Sequence, residues 1–149
     1  MARFVEASVD WCKRVWLNRV VGYKNPQRYW DRRWALRLIP GRTDYTGIFK
    51  HVNDVMAKHE CKTVLEIGPG RTPLSALPGY TALDFSRVAL DQSGLKHYIY
   101  ADITDRIPLP SKSFDALYSG NVLLHIPPEK IGRVAKEYPL RFTSRLPDF

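Results

Sequence analysis

At 149 residues, with 44% hydrophobic and 26% charged content, the chain is long enough for one domain with a real core but short for a complete α/β enzyme. Cys12 and Cys61 lie far apart with no C-x-x-C or histidine-rich spacing, so neither a disulfide framework nor a zinc site is indicated. No apolar run reaches membrane-spanning length and the start Met-Ala-Arg-Phe-Val-Glu lacks a signal-peptide core, so a cytoplasmic, reducing setting is expected. The formal charge of +8 is uneven: residues 1–62 hold 13 Lys/Arg against 6 Asp/Glu, together with all four tryptophans.

In chain order, residues 3–21 fit an amphipathic helix, with Phe4, Ser8, Trp11 and Val15 beside Cys12, Trp16 and Val20 at spacings of three and four. Gly22 and Asn25-Pro26 end it. Gln27–Leu36 reads as a second short helix rich in arginine and aromatics, broken at Pro40-Gly41. Asp44 is placed to cap a third helix over Tyr45–His59, with Ile48, Val52, Val55 and Met56 as its apolar stripe. Thr63–Ile67 is a short apolar strand of the kind a parallel sheet buries on both faces. It runs into Gly68-Pro69-Gly70, where glycine permits a sharp turn and close approach of a ligand to the backbone, and proline stiffens the bend.

Pro73 and Pro78-Gly79 leave room for only a brief helix at Leu74–Leu77. Strands follow at Tyr80–Asp84 and His97–Ala101, with a helix Arg87–Leu95 between them stopped by Gly94. Phe114–Ser119 is a fourth strand, and Pro127-Pro128 opens a helix over Glu129–Tyr138. The last stretch, Tyr138–Phe149, offers no fifth buried strand. Strands alternating with helices predict a Rossmann-like α/β domain with a parallel sheet of about four strands, at residues 61–149, behind a helical basic N-terminal cap at 1–60.

In a parallel sheet the carboxyl ends share one edge, so Gly68–Gly70, Asp84 and Asp102 are expected to converge there, the usual ligand crevice of open α/β sheets. A carboxylate at the second tip suits ribose hydroxyls. A polar group at the third suits an adenine amine, with Ile103 against the ring. The plainer roles are a tight turn at Gly68–Gly70, a helix cap at Asp84 and a local turn at Asp102. The third glycine of a dinucleotide fingerprint falls on Pro73, which disfavours a dehydrogenase.

Val64–Gly70, Leu83-Asp84, Ala101-Asp102-Ile103 and Phe114–Ser119 resemble successive motifs of the class I S-adenosylmethionine-dependent methyltransferases, and Asn121–Ile126 with Arg133–Glu137 resemble their small-molecule branch. The resemblance covers about residues 60–137. It implies S-adenosylmethionine as cofactor, with Glu66, Gly68, Pro69, Gly70 and Asn121 lining it, Asp84 at the ribose, and Asp102 with Ile103 at the adenine. It also implies Tyr29 and Arg33 closing over the cofactor carboxylate. His125 is the one histidine placed near the strand ends and suits a base toward a small-molecule acceptor, its plainer role being a histidine packed or hydrogen-bonded at a helix start.

Thr72 stands where many relatives have glycine, and the family's sheet has seven strands against four here. The chain thus reads as truncated after the fourth strand, as completing its sheet with a partner such as a second copy, or as pairing its tail unconventionally. By itself the arginine-rich segment reads as an amphipathic lid, with Trp30 and Trp34 packed on the domain and Arg32, Arg33 and Arg37 in solvent. Its interleaved aromatics also suit nucleic acid, so a nucleic-acid methyltransferase is one alternative. A truncated, non-catalytic binding module is the other. No metal site is expected.

Overall fold

Four short parallel strands set the architecture, in a computed structural model that describes residues 25–38, 47–74 and 79–140. They are β1 (Val64–Ile67), β2 (Tyr80–Asp84), β3 (Tyr98–Tyr100) and β4 (Ala116–Ser119), in the spatial order β3-β2-β1-β4. All neighbouring pairs are parallel, with Ile67 level with Leu83 on one side and with Ser119 on the other, and Asp84 level with Tyr100. The chain steps outward from β1 to β3, then returns to lay β4 on the opposite side of β1. That reversal creates a crevice between β1 and β4 at their carboxyl ends.

The helices are α1 (Pro26–Ala35), α2 (Ile48–Lys58), α3 (Arg87–Gln92) and α4 (Pro128–Leu140), with a 3-10 turn at Leu123–His125. Asn25 caps α1 by accepting from Arg28 N at 2.9 Å, and Pro26 stands in the first turn where no N–H is needed. Successive residues of β1 point to opposite faces. Leu65 and Ile67 join Leu83, Ile126, Ile131 and Val134 beneath α4, while Val64 joins Ala82, Met56, Leu74 and Leu90 on the face of α2 and α3. Both faces of β1 are therefore dry, and all four of its residues are buried.

Several boundaries differ from expectation. Helix α2 starts at Ile48, because Gly47 stands in the left-handed region at φ +68° and closes the helix off without a side-chain cap. Helix α3 stops at Gln92 rather than Leu95. There the Ser93 hydroxyl takes the Leu90 carbonyl at 2.6 Å and then accepts from Leu95 N, diverting the backbone from helical bonding. Strand β4 begins at Ala116, since Asp115 is occupied as a clamp: its carboxylate accepts from Lys62 N, Thr63 N and the Thr63 hydroxyl at 2.9–3.0 Å. Helix α4 runs on to Leu140. The expected helix at 3–21, the Asp44 cap, most of the Leu74–Leu77 helix and the chain after Leu140 lie outside the described residues.

Candidate active site

The glycine turn leaves β1 with Gly68 at φ +67° and Gly70 at φ +61°, conformations that a side chain would oppose. Gly68 N donates to Leu83 O at 2.8 Å, and Gly70 N donates to Asp84 Oδ2 at 3.0 Å, so the turn is tied to the neighbouring strand tip. The other oxygen, Asp84 Oδ1, accepts from Ser86 N at 2.9 Å. Asp84 thus braces two loops as well as marking the second tip. A carboxylate has about four acceptor positions, so bracing and hydroxyl recognition are compatible in number.

Glu66 is fully buried and accepts from Leu74 N at 2.7 Å and from the Tyr80 hydroxyl. It props the far end of the same turn from within the core. Asp102, at the third tip, accepts from Thr104 N at 2.8 Å, a local turn of the plain kind, and Ile103 beside it is buried in the α4-side core. Beyond β4, Asn121 is exposed at φ +62° and His125 ends the 3-10 turn, half-buried. The parallel register therefore brings Gly68–Gly70, Asp84, Asp102 and the Asn121–His125 loop to one edge.

Helix α1 lies across that edge. Trp34 packs on Gly70 so closely that a Cβ there would come within 2.5 Å of the ring, and Trp30 meets His125 edge-on at 4.7 Å between centroids. Ser86 Oγ donates to Asp31 Oδ1 at 2.5 Å. Trp30 and Trp34 thus pack on the domain, and Arg32 and Arg37 are exposed. Arg33 departs from the solvated lid reading. It is half-buried, donates to the Tyr29 hydroxyl at 2.9 Å and lies over that ring.

Sequence reasoning missed three contacts. Val122 covers Gly68 so that a Cβ there would strike its Cγ2 at 2.2 Å. The Asp31–Ser86 bond and the Glu66–Tyr80 bond also went unforeseen. Spacing along one strand or helix carries no trace of bonds across 55 or 14 residues.

Whether these residues fit S-adenosylmethionine is tested by one orphaned atom. Arg33 Nε is inaccessible and has no hydrogen-bond partner among the described residues. A buried guanidinium N–H without an acceptor is costly, and a carboxylate relieves it. Two left-handed glycines with backbone at the crevice and an acid at the second tip complete the fit.

The strand order, the glycine turn and the acidic tips define a Rossmann-like nucleotide-binding domain of the methyltransferase type. Residues 65–138, from within β1 almost to the end of α4, match the family model described as a methyltransferase domain, and this segment is a methyltransferase domain of the S-adenosylmethionine-dependent kind. Among solved structures it is similar to DhpI in its SAH complex, with TM-score 0.55 and 18% identity over 79% of this chain and 63% of that one. The DhpI–SAM–HEP complex gives the same TM-score and identity over 78% and 58%. A Methanococcus maripaludis protein assigned as an S-adenosyl-L-methionine-dependent methyltransferase gives 0.53 and 15% over 80% and 62%. At such identities the likeness is one of fold, and the chain spans less than two thirds of each of these structures. No curated protein matches the chain in sequence.

Proposed function

We propose that the chain binds S-adenosylmethionine along the carboxyl edge of its sheet and methylates a small-molecule acceptor. The observation that carries this reading is the convergence of the Gly68–Gly70 turn, Asp84 and Asp102–Ile103 on one edge beside the β1/β4 crevice. Asp84 takes the ribose, Asp102 and Ile103 the adenine, and Gly68, Pro69, Gly70 and Asn121 line the methionine portion. Glu66 acts on that portion through the turn it props. Tyr29 and Arg33 hold the carboxylate, for which the orphaned Arg33 Nε speaks.

The bound cofactor supplies an electrophilic methyl on a sulfonium. The protein's part is to hold an acceptor in line with it and to keep water away. Helix α1 serves the second need, roofing the edge with Trp30 and Trp34. His125, in the loop after β4, accepts at a ring nitrogen any proton the acceptor must lose. DhpI is bound to SAM and HEP in one of its structures; for this chain we propose only the class, a small molecule.

One observation favours a second reading. β4 pairs only with β1 among the described residues, and the chain is shorter than its structural relatives. A non-catalytic cofactor-binding module, or a second copy completing the sheet at β4, fits that open edge. The division into a cap at 1–60 and a Rossmann-like domain at 61–149, and a cytoplasmic setting, belong to the same proposal.

Calorimetric titration with S-adenosylmethionine and S-adenosylhomocysteine, with NAD as control, tests the reading. Both are expected to bind, NAD is not, and Asp84→Ala should lose most of the binding. Binding without turnover against any acceptor selects the non-catalytic module. No binding by the wild type overturns the proposal.

A further inference from the structure

Helix α1 spans the whole carboxyl edge, meeting the tip of every strand or the loop that leaves it. Gln27 donates to the hydroxyl of Tyr100 at the end of β3, and Asp31 meets Ser86 after β2. Trp34 packs on Gly70 after β1, and Trp30 on His125 after β4. A ligand lying along these tips lies beneath α1.

None of its residues is fully buried, although Trp30 and Trp34 are half-buried where they rest on His125 and Gly70. It ends in a turn through Arg37 at φ +52°. Among the described residues it is held by these two aromatic contacts and by polar links, of which one stands out. Asp31 is the only carboxylate of α1, and its partner Ser86 is fully buried and itself anchored. Ser86 N donates to Asp84 Oδ1, and Ser86 Oγ accepts from Ala89 N at 3.2 Å as the cap of α3. The bond at 2.5 Å from Ser86 Oγ to Asp31 therefore ties α1 to a buried corner beside the ribose-side acid. A hydrogen bond to a carboxylate is stronger than a neutral one.

We propose that α1 is a lid over the cofactor edge, that Asp31 is its latch on Ser86, and that release of this latch sets the rate at which cofactor enters and its demethylated product leaves. The gate rests on reading that edge as the cofactor site; the latch itself does not.

Two measurements on the full chain separate them. Amide hydrogen exchange of the ligand-free protein compares residues 26–35 with 128–140 in the wild type, Asp31→Ala, Asp31→Asn and the surface control Asp54→Ala. Asp31→Ala is expected to speed exchange in α1 by roughly tenfold and leave α4 unchanged. Asp31→Asn, whose amide oxygen still accepts from Ser86, should fall nearer the wild type, as should Asp54→Ala. Stopped-flow tryptophan fluorescence then follows S-adenosylhomocysteine, whose association and dissociation should both quicken roughly tenfold in Asp31→Ala with a smaller change in Kd. In the wild type the same ligand should protect α1.

Unchanged α1 exchange in Asp31→Ala, or equal loosening of α1 and α4, overturns the latch. Faster exchange with unaltered ligand kinetics overturns the gate. Should the wild type fail to bind S-adenosylhomocysteine, the functional reading and the gate both fall, while exchange still decides the latch.

Discussion

Gly70 shows how much one hydrogen atom in place of a methyl decides at this edge. Its left-handed backbone costs an alanine about 1–2 kcal/mol, and the Trp34 ring occupies the space a Cβ needs. Gly70→Ala is therefore expected to push α1 off the turn, so that S-adenosylhomocysteine affinity measured by calorimetry falls about tenfold or more. Gly94→Ala is the matched control. Gly94 has φ +73° with nothing within 4 Å of the added Cβ, so it meets backbone strain alone and affinity should hold. Asp84 is a second residue with two duties. Asp84→Ala strands the N–H groups of Gly70 and Ser86, each costing about 1–3 kcal/mol if left unpaired. Lower stability, read as a lower urea midpoint, should accompany its lost binding.

At the scale of elements, α1 and α4 contrast. Among the described residues, helix α1 is held by its cap, a few polar links and the half-buried Trp30 and Trp34, with no fully buried residue. Asn25→Ala removes the acceptor for Arg28 N and should cost about 1 kcal/mol. Because α1 is a lid, that cost should appear as faster amide exchange in residues 26–35 with the melting temperature nearly unchanged. Helix α4 covers a sheet face with Ile131 and Val134 and carries Tyr138, whose hydroxyl donates to Ser119 Oγ at 3.4 Å. Burial pushes the Tyr138 phenol above its ordinary 10.0, against a smaller opposing effect of that hydrogen bond. A folded phenol that holds its proton more tightly than the unfolded chain stabilises the fold fully below about pH 10. That contribution is lost as pH rises through the folded value. Tyr98, at the surface beside Asp91, is raised in the same direction, chiefly by its hydrogen bond to Asp91. In a Tyr98→Phe background, adding Tyr138→Phe should flatten the fall of the urea midpoint between about pH 9 and pH 11.

Over the whole molecule, positive charge is concentrated before the sheet, and Arg28, Arg32 and Arg37 stand exposed on α1. If that surface served nucleic acid, affinity for a single-stranded RNA would fall steeply with salt, in proportion to the phosphates contacted. A small-molecule enzyme is expected to show only weak attraction, gone by about 0.15 M salt where the Debye length is about 8 Å. Fluorescence anisotropy of a labelled oligonucleotide across a salt series checks this. Among the described residues no helix is long and apolar enough to cross a membrane.

Local order was legible in the chain itself. A branched apolar run marked β1, Asn25-Pro26 marked a break just before α1, and the alternation of strands and helices dictated a parallel sheet whose carboxyl tips share one edge. These follow from backbone sterics and periodicity, which act over a few residues and leave their mark in spacing. What lies over that edge was decided only by tertiary structure. Trp34 on Gly70, Val122 on Gly68, Asp31 on Ser86 and the burial of Arg33 Nε join residues far apart in the chain. Such contacts depend on how a helix docks across four strand tips, and docking is set by shape and by the pairing of buried polar groups. Neither property belongs to any one stretch of sequence.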